Sequence, residues 1–189
     1  MPEFKQLMRD DKFDLVVIGM FMNNFWLGLG DHFKCPTIML TANSAFTPIN
    51  LLFGNPLEIS TVPSFFAQLT EPMDFLQRVK HFLIYSIEQV MFFYLEILQK
   101  NAYNKYFPAD RYISYEKACA NVSLVLLNSH FSQGSVRPFV PAMIEVGGLQ
   151  VKPTSDPLPA NLKDWLDGAE DGAIFFSLGS NAKSTFFTK

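Results

Sequence analysis

The chain has 189 residues, 49% of them hydrophobic and 17% charged, with a formal net charge of -3. That length suits one domain, or one domain and a piece of another, and the composition is that of a folded protein. Lys and Arg are scattered singly and the sequence pI is near 5.6, which argues against a nucleic-acid partner. Cys35 and Cys119 lie far apart in neither metal-ligand nor disulfide-framework spacing, so no metal site is expected.

In chain order, the opening "MPEFKQLMRDDK" mixes polar and charged residues without an apolar stretch, and no secretory signal is expected in it. "FDLVVIG", residues 13–19, has the form of a strand buried on both faces. "FWLGLGDHF" then reads as a helix and "CPTIMLTA" as a second strand, a βαβ unit of a parallel sheet. Residues 43–70 carry Pro48, Gly54, Pro56 and Pro63 and read as a long loop, a candidate binding rim.

Thr70 stands as an N-cap ahead of Pro72, and Leu76, Val79, Leu83, Ile87, Val90, Tyr94 and Leu98 repeat at helical spacing, which predicts one long helix, or two in succession, to about Phe107. Asp74, Gln77, Arg78, Lys80 and His81 fill its opposite side. Phe92 and Phe93 widen the apolar arc, so a second face needs cover, from the domain itself or from a membrane or hydrophobic acceptor. The 20 Phe residues point the same way, to a large aromatic core or to surfaces that meet apolar ligands, lipid or another domain. The stretch from Phe82 to Leu98 contains Glu88, Gln89 and Glu96 and is read as too short to span a membrane.

"NVSLVLLNS", residues 121–129, and "AMIEVGG", residues 142–148, are the next strands of the sheet, and Asn121-Val122-Ser123 matches an N-glycosylation acceptor pattern. "LQVKPTSDPLP" has the composition of a linker, and a domain boundary is placed there. "ANLKDWLDGAED" predicts a short helix closed by Gly168, and "GAIFFSLGS" the first strand of a second domain. A parallel strand ending at Gly179-Ser180 presents backbone N–H groups where phosphates bind.

Taken together, "FDLVVIG", "LGLGDHFKCP", "GNPLEISTVPS", "MDFLQRVKHFL", "LLNSHFSQGSVRPFVPAMIEVGGLQV" and "GAIFFSLGSNAKS" resemble the UDP-glycosyltransferase family, its insect membrane-associated branch above all, over roughly residues 13–184. The resemblance implies an α/β, doubly wound parallel-sheet fold of the GT-B kind, present incompletely. Residues 1–149 would be the later half of an acceptor-binding domain, 150–171 a linker and short helix, and 172–189 the first strand and loop of a UDP-sugar-binding domain. It implies transfer of a hexosyl group from a UDP-sugar, a co-substrate rather than a cofactor, to a small lipophilic hydroxyl acceptor, in the endoplasmic reticulum membrane or lumen.

On that resemblance Gly179, Ser180 and Asn181 are donor-phosphate contacts, and the 43–55 loop and the long helix form the acceptor rim. The family's catalytic His precedes the matched stretches, and His32, His81 and His130 do not fit its role, so no catalytic residue is assigned. The orienting Asp of the family falls where this chain reads Gly19-Met20, with Asn23 and Asn24 beyond and Asp31 too late to match. The family's donor-binding signature and carboxy-terminal anchor are not found, and the chain is expected to transfer no sugar alone. A non-catalytic product that associates with full-length relatives, or an incomplete gene product, is the alternative, with self-association and membrane contact as its expected interactions.

Overall fold

The computed structural model describes residues 6, 8, 9, 12–64, 66–133, 136–177 and 179. Apolar runs too short for helices form four parallel strands: β1 (Val16–Gly19), β2 (Thr37–Thr41), β3 (Val122–Leu127) and β4 (Met143–Glu145), side by side in that order. β1 meets β2 from Val16 opposite Thr37 to Gly19 opposite Leu40, and a register shift between Thr37 and Ile38 adjusts β2 to β3. A turn of 3-10 helix (Asn24–Leu27) and α1 (Gly28–Phe33) link β1 to β2. A Cβ on Gly28 would fall 2.4 Å from the Phe107 ring, so only glycine lets α1 begin where the next long helix ends.

Side chains alternate across a strand. One face of the sheet carries Ile18, Met39, Val125, Leu127 and Met143 into a core shared with Leu27, Ile49, Tyr103, Phe107 and Tyr115. The other carries Val17, Ile38, Leu40, Leu124, Leu126 and Ile144, and there Val17 and Ile144 are exposed while the rest are half-buried. β1 is therefore buried on one face, not on both as its sequence suggests, because no described element covers the second.

Two loop readings also change. The 43–70 segment contains α2 (Thr47–Phe53), with Pro48 in its first turn and Gly54, at φ +66°, closing it in the left-handed conformation. Proline at a helix start and glycine just past its end are helix punctuation as much as loop markers. The long helix is continuous, α3 (Phe75–Tyr106), and its N-cap is Asp74 rather than Thr70. The Asp74 carboxylate accepts the Gln77 N–H at 2.8 Å, while the Gln77 side chain accepts the Asp74 N–H at 2.9 Å, a reciprocal capping box.

α3 is turned opposite to its sequence pattern. Its buried side chains are His81, Glu88, Phe92 and Tyr103, whereas Leu76, Val79, Leu83, Ile87, Val90 and Leu98 are exposed. Phe92 is 8% exposed and packs against Phe46 and Phe66, while Phe93 is 66% exposed. At 32 residues this helix is long and apolar enough, by length and composition, to cross a membrane, although the 82–98 stretch taken alone read as too short.

α4 (Tyr115–Ala120), capped by the Ser114 side chain, leads directly into β3. The chain divides into two compact units, Met1–Leu149 and Gln150–Lys189. In the second, α5 (Ala160–Asp167) ends at Gly168. Of the strand expected at 172–180, residues 172–177 have no strand partner among the described residues and Ile174 is 95% exposed, while 178 and 180 lie outside the described residues. An apolar segment becomes a strand only when another strand completes its hydrogen bonds, and none pairs with it among the described residues.

Candidate functional site

The carboxyl ends of β1, β2 and β3 lead into a cavity of about 470 Å³. Phe21 and Met22 follow β1, Asn43 to Thr47 follow β2, and Arg137 and Pro138 follow β3; Leu57, Val62 and Phe66 close the wall. The volume and the mostly apolar lining are those of a small-molecule site, and ends of parallel strands are where α/β folds hold ligands.

Three polar clusters fix these segments. After β1, the Asn23 side chain donates to the Gly19 carbonyl at 2.8 Å and accepts the Phe21 N–H at 2.8 Å, turning the chain toward the cavity. Buried Asn55 donates to Asn50 Oδ1 at 3.0 Å and to the Pro138 carbonyl at 3.2 Å, and its own Oδ1 accepts the Val140 N–H at 3.0 Å. One side chain thereby holds α2 against the segment after β3.

The third cluster explains the orientation of α3. His81, 1% exposed, donates from Nδ1 to the Ile59 carbonyl at 2.7 Å and accepts the Ser64 N–H on Nε2 at 2.9 Å. Those partners assign a neutral imidazole with its proton on Nδ1. One turn-pair along, the buried Glu88 carboxylate accepts the Ser64 hydroxyl at 2.5 Å. The polar side of α3 faces inward because the 56–67 loop presents backbone groups that must be satisfied. Ser64, fixed from both sides, lines the cavity.

Arg137 donates from Nη1 to the Ala45 carbonyl at 3.2 Å, while its Nε is buried without a partner among the described residues. Burial lowers the proton affinity of the guanidinium, partly offset by Glu71, Glu145 and Glu58 at longer range. A second cavity, of about 550 Å³, is lined by residues that include Met20, Leu52, Phe92, Tyr115 and Cys119. Burial there pushes the Cys119 thiol up to about 11, which makes it an inert thiol at neutral pH.

The expected 43–55 rim does border the first cavity, through Asn43 to Thr47, Asn50 and Asn55. The long helix supports the wall from behind through His81, Glu88 and Phe92. Gly19 has space: a Cβ built on it meets nothing within 4 Å. His32 is held between the Tyr112 hydroxyl at 2.8 Å and the Met8 carbonyl at 2.7 Å, and His130 contacts the Ser132 hydroxyl at 2.7 Å. Burial raises the Asp31 carboxyl, but hydrogen bonds from Lys34 and the Ile113 N–H outweigh that and lower it. Gly179 adopts φ +71° and donates its N–H to the Ser177 hydroxyl at 3.2 Å, while Ser180 and Asn181 lie outside the described residues. Among the described residues no His, Cys, Asp and Glu group could hold a metal ion.

Sequence reasoning missed Arg137, Asn55, Ser64 and Glu88 as site-building residues. The signal for Glu88 is that it stands seven residues, two helical turns, from His81 on one face.

The sequence profile of the family described as UDP-glucoronosyl and UDP-glucosyl transferase matches residues 3–186. Among curated relatives, UDP-glucosyltransferase 2 of Dactylopius coccus is 34% identical over 184 residues, which are 95% of this chain and 35% of the relative. UDP-glucuronosyltransferase 3A1 of Xenopus laevis is 28% identical over 97% of this chain and 34% of its own length. The 2-hydroxyacylsphingosine 1-beta-galactosyltransferase of Rattus norvegicus is 35% identical over 69% of this chain and 24% of its own length. The chain thus spans about a third of the length of the first two of these relatives. No solved structure matches it significantly.

Proposed function

Since the chain belongs to the UDP-glucuronosyl and UDP-glucosyl transferase family, we propose that residues 1–149 are the later half of its acceptor-binding domain and that the 470 Å³ cavity receives the acceptor. The whole protein would transfer a hexosyl group from a UDP-sugar to a small lipophilic hydroxyl compound, at the endoplasmic reticulum membrane. The observation that carries this reading is the cavity's position: three consecutive parallel strands open into it, and its walls are mostly apolar. The apolar second face of the sheet agrees, because a parallel sheet is ordinarily covered on both faces and further structure would be needed here.

Chemistry needs a base within hydrogen-bond reach of the acceptor hydroxyl. The described histidines are engaged elsewhere or stand on the surface, and on the resemblance the chain reads Gly19-Met20 where the family's orienting Asp is expected. This chain therefore binds acceptor without transferring sugar, and Gly179, Ser180 and Asn181 are proposed as one part of the donor-phosphate contact. Titrating the purified 189-residue chain with a panel of phenols and steroids tests the reading. Saturable binding without UDP release from UDP-sugars is expected, whereas UDP release, or no binding by any member, overturns it. The outward apolar face of α3 favours a second reading, in which the chain associates with full-length relatives without catalysing transfer. Co-purification with such a relative, abolished by Phe93→Asp, would support it, and loss of fold in that variant would not.

A further inference from the structure

The cavity is apolar except at a few points, and one of them carries a full positive charge. Arg137 is half-buried on its wall, and among the described residues it makes one hydrogen bond, to the neutral carbonyl of Ala45, and its buried Nε–H has no acceptor. Glu71, Glu145 and Glu58 offset its burial only in part and from a distance, and no carboxylate of the described residues forms an ion pair with it. A guanidinium taken out of water is costly unless an anion compensates it, and its planar fork suits the two oxygens of a carboxylate. Phe21, Phe46 and Phe66 line the same space and offer flat hydrophobic contact.

We propose that this cavity selects small aromatic ligands that carry a carboxylate, the anion lying against Arg137 and the ring system among Phe21, Phe46 and Phe66. The inference rests on the reading of the cavity as the acceptor site and narrows the class of acceptor. Glu58 opposes it. Glu58 also lines the cavity, and its carboxylate, which accepts the Thr61 hydroxyl at 3.1 Å, adds negative charge that disfavours an incoming anion. Selectivity is thus the difference between attraction at Arg137 and repulsion at Glu58, and each can be removed separately.

The test is calorimetric titration of the 189-residue chain with 2-naphthoate and with its neutral analogue 2-naphthylmethanol at pH 7.5. Charge-assisted pairing predicts that naphthoate binds about tenfold more tightly. Arg137→Met should abolish the preference, read as the ratio of the two affinities measured in the same variant, Arg137→Lys should keep part of it, and Glu58→Gln should raise naphthoate affinity relative to the alcohol. Equal or weaker binding of naphthoate, or a preference that survives Arg137→Met, overturns the inference while the acceptor-site reading stands. Binding of neither probe overturns both. Glu58→Gln keeps the inference open to refutation should Arg137→Met fail to fold, since an unchanged ratio of the two affinities in that variant counts against it.

Discussion

His81→Leu isolates the wall of the cavity from the rest of the fold. The substitution roughly keeps volume and does not lower helix propensity, but it removes both the donor that serves the Ile59 carbonyl and the acceptor that serves the Ser64 N–H. An unsatisfied buried polar group costs about 1–3 kcal/mol, and the loop relieves part of it by opening to water, so the two losses together lower the free energy of opening residues 56–67 by about 2–4 kcal/mol. Hydrogen exchange reads this directly: the Ser64 amide should exchange about 30- to 700-fold faster, at about 1.4 kcal/mol per decade. The Val125 amide, bonded to the Ala142 carbonyl at 2.8 Å within the sheet, should change little. Acceleration of Ser64 by less than about threefold would refute the assignment of His81 as the residue holding the loop. Equal acceleration at Val125 would show that the substitution acts on global stability instead.

The orientation of α3 is tested by neighbours with the same side chain. Phe92→Ala, which empties a site packed against Phe46 and Phe66, should cost about 3–5 kcal/mol in urea unfolding, whereas Phe93→Ala should stay within about 0.5 kcal/mol. Alkaline stability should depend on Tyr103, whose phenol burial pushes from 10.0 up to about 12 while it donates to the Ile113 carbonyl at 2.8 Å. The folded-state value lies above the unfolded one, so this contribution is intact below pH 10 and is lost as pH rises toward 12. Urea midpoints measured across that range should fall less steeply for Tyr103→Phe than for the wild-type chain, and identical slopes would dismiss the buried phenol as the cause.

The parallel sheet was legible because its strands are continuous apolar runs set apart by glycine and proline, and they lie side by side in the order in which they occur along the chain. α2 was not legible, since Pro48 and Gly54 mark both loops and helix ends and the seven-residue helix between them is too short to show periodicity. The segment at 172–177 failed for the opposite reason. "GAIFFS" has strand composition, but pairing is a property of two segments, and composition reports only one. The rim at 43–55 was found from its turn residues, whereas Arg137 was masked by its place in a proline-rich stretch and Asn55 by the ordinary look of an asparagine after a glycine.

α3 shows what periodicity can and cannot say. Apolar residues at helical spacing establish that a helix has two unlike faces, but the direction in which they point depends on what lies opposite each. Here the inner neighbour is a loop whose backbone needs polar partners, and His81 and Glu88 satisfy it, so the polar face is the one that builds the cavity wall. The outer face from Leu76 to Leu98 is then a stripe about 33 Å long at 1.5 Å per residue, close to the ~30 Å of a bilayer's hydrocarbon core. Whatever covers that stripe meets side chains that make no contribution to the cavity. Substitutions along it, at Leu83 or Ile87 for instance, can therefore alter association without altering ligand affinity, and those at His81 or Glu88 do the reverse.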